Sequence, residues 1–172
     1  MSRVDVMLGG VPIRLQSGAP VQRYTPLGDG VVLRRSKGAA VKMRHWDLRW
    51  AVTVSGSGWM GPGLAGLDYD QPLELRCTQP MDVHTTALTT TIPGQVRPDV
   101  APWCLAYVGS DWTQTPVDYD SGTGVATITA VAGALEYQVC WMPMFSVFMT
   151  RPERGLDPST ATHDWSFTAE EA

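Results

Sequence analysis

Charge is the first thing this sequence is short of. Only 17% of its 172 residues are Asp, Glu, Lys or Arg, against about 25% in ordinary soluble domains. A weakly charged surface fits a protein whose faces are covered by neighbours, and it fits many β proteins as well. The cations are eleven Arg and two Lys, scattered along a chain of net charge −4. Nucleic-acid binding needs clustered cations for phosphate contacts, so no nucleic acid is expected as a partner. One local basic stretch, Arg34, Arg35, Lys37, Lys42 and Arg44, reads as the solvent face of a hairpin, because strand alternation alone places charges there. Long apolar runs are also missing. None approaches the roughly 20 residues of a membrane span, and Met1-Ser2-Arg3-Val4-Asp5 has no apolar core of a secretory leader. Synthesis and folding in a cytoplasm are therefore expected.

Cysteine is scarce and odd in number. Cys77, Cys104 and Cys140 are far apart, with no Cys-x-x-Cys spacing, and His45, His84 and His163 are equally dispersed. That spacing supports neither a zinc site nor a redox pair. Cys104 and Cys140 sit in apolar strand patterns, which predicts buried free thiols. No long 3.6-residue period occurs, so any helix is short.

What the chain has instead is punctuation. Seventeen Gly and thirteen Pro divide short segments rich in Val, Thr, Trp and Tyr, the pattern of an all-β domain. The expected fold is mainly β: an antiparallel β-sandwich or β-barrel with long hairpins and loops and little helix. At this length one domain, 1–172, is expected, with possible sub-lobes at 1–100 (hairpins and a long loop) and 101–172 (an antiparallel meander). Residues 11–45 carry an echo at an offset of 20: Val11-Pro12-Ile13-Arg14 matches Val31-Val32-Leu33-Arg34, and Gly18-Ala19-Pro20-Val21 matches Gly38-Ala39-Ala40-Val41. Each half predicts strand, turn, strand, hence two successive hairpins. Trp46, Leu48, Trp50, Val52 and Val54 then alternate with Asp47, Arg49, Ala51, Thr53 and Ser55, which predicts a strand with one face on a core. It should end at a flexible Ser55-Gly56-Ser57-Gly58.

Residues 56–70 follow as an irregular loop with large apolar side chains. Loops of about 12 or more residues are uncommon in compact domains and often functional. Trp59, Met60, Leu64, Leu67 and Tyr69 are accordingly the candidate partner-interface residues; the competing reading folds the loop back over its own core. Pro72 to Cys77 predicts a strand. Residues 81–99 predict a strand and then an extended linker or arm, and 56–70 and 85–100 are expected to order on assembly. Strands are expected at 103–108, 112–117, 125–130 and 135–142, with a turn at 118–124. In the last of these strands Leu135, Tyr137, Val139 and Trp141 share a face. Pro143 should mark a bulge, kink or edge before the run 144–149. His163 to Phe167 predicts one more strand, and the acidic end Glu170-Glu171 a loose tail.

Catalytic constellations are missing where they can be tested. No Gly-x-Ser-x-Gly elbow occurs. Gly28-Asp29-Gly30 leads into a strand and not a helix, so it reads as a turn and not a phosphate loop. Asp118-Tyr119-Asp120-Ser121-Gly122 lacks the third oxygen ligand and the terminal Glu of a calcium loop, and Asp before Gly is ordinary turn chemistry. No catalytic residue, metal or cofactor is assigned. Among seven Trp, Trp59 and Trp112 lie beside turns where exposure would suit a sugar platform, while Trp46, Trp50, Trp103 and Trp141 read as core.

Several segments carry a resemblance. His45-Trp46 through Val52-Thr53-Val54-Ser55-Gly56-Ser57-Gly58-Trp59, then Gly63-Leu64-Ala65-Gly66-Leu67-Asp68-Tyr69 and Gln71-Pro72-Leu73-Glu74-Leu75-Arg76, resemble small tail proteins of long-tailed bacteriophages. Tyr137-Gln138-Val139-Cys140-Trp141-Met142-Pro143 and His163-Asp164-Trp165-Ser166-Phe167 continue it, across roughly residues 11–168. Within that family the chain is similar to a distal tail protein or a related tail-tip or baseplate component. The resemblance implies a non-enzymatic structural subunit of the virion tail, assembled in the host cytoplasm. Copies would form a ring homo-oligomer, a hexamer or a trimer, that joins the tail tube to the hub. A tube or tail-completion subunit stays open, as does a carbohydrate-binding β-sandwich module for host-surface adsorption. A small enzyme on a β scaffold is the third class considered; it would show converging polar side chains with perturbed pKa values in a cleft.

Overall fold

The computed structural model describes residues 4–28, 30–44 and 47–172. Strands hold 57% of the residues in several antiparallel sheets, so the chain is mainly β. The only helical pieces among the described residues are single 3-10 turns at Leu15–Ser17 and Leu64–Gly66. Two compact units divide the chain. One takes Met1–Val6 with Leu75–Phe145, the other Met7–Glu74 with Ser146–Ala172. The boundary therefore does not follow the division at residue 100 suggested by the sequence.

Two sheets lie wholly within the Leu75–Phe145 unit. Asp111–Thr115, Trp103–Val108, Ala134–Trp141 and Met81–Thr85 lie side by side in that order; Val117–Asp120, Val125–Ile128 and Thr89–Thr91 make a second, three-stranded sheet. Alternation explains the core. Cys104 and Ala106 from one strand and Tyr137, Val139 and Trp141 from its neighbour turn inward and meet Ile92, Ala126 and Ile128 of the other sheet. The expected turn at 118–124 begins later, because Val117–Asp120 pairs with Val125–Ile128 first. Leu135 corrects the expected alternation. Tyr107 pairs with Glu136 and Val108 with Ala134, so Leu135 is skipped at a bulge and is 69% exposed.

The Met7–Glu74 and Ser146–Ala172 unit is built around the ten-residue strand Thr162–Glu171. Arg49–Gly58 runs along one side of it, and Val21–Leu27 lies beyond that strand. On the other side Glu153–Asp157 pairs with its first half and residues 147–149 with its end. One face buries Val52, Val54, Trp165, Phe167 and Ala169. The opposite face is polar, with Thr53 and Thr168 hydroxyls 3.1 Å apart.

Several expectations change here. The His45-Trp46 start of the alternating strand lies outside the described residues, as does Asp29. The strand continues through Ser55-Gly56-Ser57-Gly58 instead of breaking there. These small residues leave room: a Cβ on Gly56 would lie 2.5 Å from Trp165 Cζ2, and one on Gly58 2.4 Å from the Gln16 carbonyl oxygen. The first of the two expected hairpins does not form. Val21–Leu27 pairs with Arg49–Gly58, because the turn Leu15–Ser17 and Gly18, at φ +95°, redirect the chain. Glu171 is not loose, since the Trp50 amide donates to its carboxylate at 3.0 Å. Residues 81–99, expected as a strand and then an extended linker or arm, are built into their unit by the Thr89–Thr91 and Gln95–Val96 pairings. The second hairpin, Val31–Arg34 with Ala40–Met43, does form.

Candidate functional site

The structure separates the five candidate loop residues. Leu64 is fully buried. The Tyr69 hydroxyl donates to the Leu64 carbonyl at 2.6 Å, and the Arg151 guanidinium lies 5.3 Å from the Tyr69 ring centre. Burial pushes the Tyr69 phenol above its ordinary pKa, against the pull of Arg154 and Arg151. Leu67 closes over Gly9, where a Cβ would lie 2.9 Å from Leu67 Cδ2. The loop is also tied to the turn at 15–18: the Met60 amide donates to the Gln16 carbonyl, and the Ser17 hydroxyl to the Gly61 carbonyl at 3.1 Å. Ser17 in turn accepts from the Trp165 indole at 2.6 Å. Three of the five residues thus belong to the core side of their own unit. Trp59 at 70% exposure and Met60 at 42% are left on the surface.

A groove of about 740 Å³ in the Thr162–Glu171 unit is lined by Val21, Ser55, Ser57, Glu153, Asp164 and Ser166, with Trp165 as neighbour. Its lining holds no histidine, cysteine or lysine, so its serines have no imidazole base. A second cavity, about 650 Å³ in the other unit, includes Arg97, Asp118 and Tyr119. Arg97 is already committed there. Its Nε and one terminal nitrogen hold Asp99 at 2.8 and 2.7 Å, and the other donates to the Cys77 and Asp5 carbonyls at 2.9 and 3.2 Å. Sequence reading missed this buried cation, because nothing local separates it from the solvated arginines.

The sulfur and carboxylate candidates also resolve into structure. Cys77, Cys104 and Cys140 are buried free thiols. Burial, with Cys140 adding a smaller push, raises the Cys104 thiol to about 11. A thiol so protonated is a poor nucleophile. Asp120 accepts from the Gly122 amide and the Thr123 hydroxyl at 2.9 and 2.8 Å. These bonds hold its carboxyl below the usual range, and they are turn chemistry. Among the described residues no group of three potential metal ligands occurs, and no helix is long and apolar enough to cross a membrane.

Two surface features do stand out. On the outer face of the four-stranded sheet, Tyr107 and Trp112 ring centres lie 5.1 Å apart, and His84 meets Trp112 edge-on at 5.9 Å. Beside them the Gln138 amide donates to the Asp82 carboxylate at 2.8 Å. The sequence predicts Trp112 exposed beside a turn, but not Tyr107 and His84 next to it, since only strand pairing brings them there. The other feature is the hairpin Val31–Arg34/Ala40–Met43, whose strands are exposed almost throughout. Among the described residues no third strand pairs with it. No family model, curated protein or solved structure matches this chain.

Proposed function

We propose that this chain is a structural subunit of a phage virion tail. Copies of it form a ring, a hexamer or a trimer, that links the tail tube to the tip or baseplate hub, in the manner of a distal tail protein. Assembly takes place in the host cytoplasm, and no catalytic step is involved. The observation that carries the reading is the distribution of apolar surface. Val21, Val31, Leu33, Trp59, Leu135 and Phe148 are all exposed on a chain with little charge. Exposed apolar side chains scattered singly are ordinary, but Val31, Leu33 and Met43 adjoin on one hairpin face, and such a contiguous patch marks a face that another protein covers. The subunit reading supplies that cover as neighbouring copies and adjoining tail proteins. Multi-angle light scattering across a concentration series, with negative-stain micrographs of the same fractions, is the test. Closed rings are the expected result. A strict monomer at high concentration, together with antibody labelling absent from the tail of the parent particle, would refute the proposal.

The aromatic surface at Tyr107, Trp112 and His84, with the Asp82–Gln138 pair beside it, supports a second reading, a carbohydrate-binding face for host-surface adsorption. Stacking of a sugar on Trp112 would quench its fluorescence in a glycan titration, and Trp112→Ala would abolish that quenching. However, the Tyr107 and Trp112 planes are tilted by 46°, which is poor geometry for a flat two-ring platform.

A further inference from the structure

The hairpin at 31–43 divides its side chains unusually. Cross-strand register pairs Val31 with Met43 and Leu33 with Val41, and pairs Val32 with Lys42 and Arg34 with Ala40. Partners directly opposite share a face. One face is therefore wholly apolar: Val31, Leu33, Val41, Met43. The other carries Arg34 and Lys42 beside Val32 and Ala40, and Arg35, Lys37 and Arg44 follow the strands in sequence. Yet the apolar face is not buried: Val31 is 61%, Leu33 49% and Met43 47% exposed. A two-stranded hairpin on its own is marginal in water, so this element lacks the cover its sequence is patterned for.

Charge indicates what supplies the cover. Residues 31–44 hold five cations and no carboxylate. The whole chain has thirteen cations and seventeen carboxylates. Setting the five aside leaves eight cations against seventeen carboxylates, a net charge of −9 for the remainder. Arg44 meets Asp47 at 3.4 Å with both side chains exposed, a pair worth little in water. Arg34 spends one donor on the Gly38 carbonyl within the turn. From Leu27 to the turn the chain can reach on the order of 30 Å in extended form, enough to lie across a neighbouring molecule.

We propose that this hairpin is an assembly arm whose occupant is a second copy of the same chain. Its apolar face packs on the neighbour, and its cations meet the neighbour's carboxylates. An element that binds a different patch on the next copy makes a head-to-tail contact, which closes into a ring when the rotation allows. The inference rests on the ring reading above and adds the element that makes the contact.

Lys37 and Lys42 are the only lysines in the chain, which makes the test specific. A mixture of unlabelled and 15N-labelled full-length protein is treated with a carbodiimide, which joins lysine amines to carboxylates at zero length. Mixed-isotope peptides joining Lys37 or Lys42 to an Asp or Glu of the other copy are the expected product. Two variants accompany it: Arg34→Glu/Arg35→Glu/Lys37→Glu, and Val31→Thr/Leu33→Thr/Val41→Thr/Met43→Thr, which keeps strand-favouring residues. Each should raise the apparent dissociation constant of self-association by about tenfold or more, while circular dichroism and Trp fluorescence stay at wild-type values. Salt should weaken wild-type association as it screens exposed charge. Oligomers in which both variants associate normally and no mixed-isotope arm peptides occur would overturn the arm and leave the ring reading standing. A wild-type chain that stays monomeric overturns both. Arm-dependent binding to phosphatidylserine vesicles or to duplex DNA by such a monomer would replace the second copy with that partner.

Discussion

Replacing Arg97 with Met tests the most buried charge among the described residues. Arg97 is 1% exposed, and its donors go to the Asp99 carboxylate and to two backbone carbonyls, of Cys77 and Asp5. Methionine refills most of the aliphatic stem, so the loss is mainly polar. Each charge-assisted bond to a backbone carbonyl contributes about 1.5–3 kcal/mol. Asp99 is 41% exposed and can rehydrate, so its side of the ion pair adds much less. A destabilisation of about 3 kcal/mol follows, partly offset by apolar packing of the new side chain. For a chain of this size that is a fall in Tm of about 6–12 °C, read by thermal melts followed by circular dichroism. Asp99→Asn, which keeps the guanidinium on its carbonyls, should cost only about 1 kcal/mol. The pair also predicts a pH dependence. Arg97 holds the Asp99 carboxyl below its usual range. The stabilisation is therefore complete above the unfolded carboxylate pKa and is lost as pH falls through the lower folded value. Arg97→Met should flatten that acid limb. If Asp99→Asn proves as damaging as Arg97→Met, the two carbonyl bonds are not what Arg97 is for.

Other positions give sharper yes-or-no outcomes. Gly18→Ala would set a Cβ 2.2 Å from the Ser57 carbonyl oxygen at φ +95°, and should lose about 2 kcal/mol or more in denaturant titration. Trp165→Phe removes the 2.6 Å bond to the Ser17 carbonyl and should cost about 1–3 kcal/mol; a neutral result would mean that the ring packing alone holds the 15–18 turn. The Cys104 thiol, raised to about 11, should resist a disulfide reagent at pH 8 in the native protein and react at once in urea. Its folded pKa lies above the unfolded value, so stability should be unaffected below about pH 9 and fall as pH rises towards 11.

Most strands were legible because alternation and Gly/Pro punctuation are local signals. Arg49–Gly58, Trp103–Val108 and Thr162–Glu171 fall near their expected places for that reason. Pairing was not legible. Val21–Leu27 looked like the return strand of a local hairpin, yet it joins a strand some 30 residues later in sequence, and only the turn at Gly18 explains the choice. The bulge that expels Leu135 depends on a register with Trp103–Val108 that no single segment encodes. The loop after Gly58 shows the same limit. Its apolar residues were visible, but whether each faced a neighbour or its own core depended on Gln16, Ser17 and Arg151, all distant in sequence. Leu64, Leu67 and Tyr69 turned inward and only Trp59 and Met60 stayed exposed, while Val31, Leu33 and Met43 are left uncovered in a hairpin that the sequence did reveal but whose missing cover it could not.

The segment order of the two units has a consequence for biosynthesis. Residues 75–145 form nearly all of one unit as an uninterrupted stretch, inserted between the two parts of the other. That unit can complete itself while the chain is still emerging from the ribosome. The other cannot, because Thr162–Glu171, which pairs with Arg49–Gly58, Glu153–Asp157 and residues 147–149, is made only after the whole inserted stretch. Until it arrives, Arg49–Gly58 has no partner on that side, and an unpaired strand edge invites association. Synthesis of Thr162–Glu171, and not the appearance of Arg49–Gly58, is then the event that completes this unit's sheet. A stop codon before Thr162 should give an aggregating product that still contains one folded unit, and not a shortened but soluble protein.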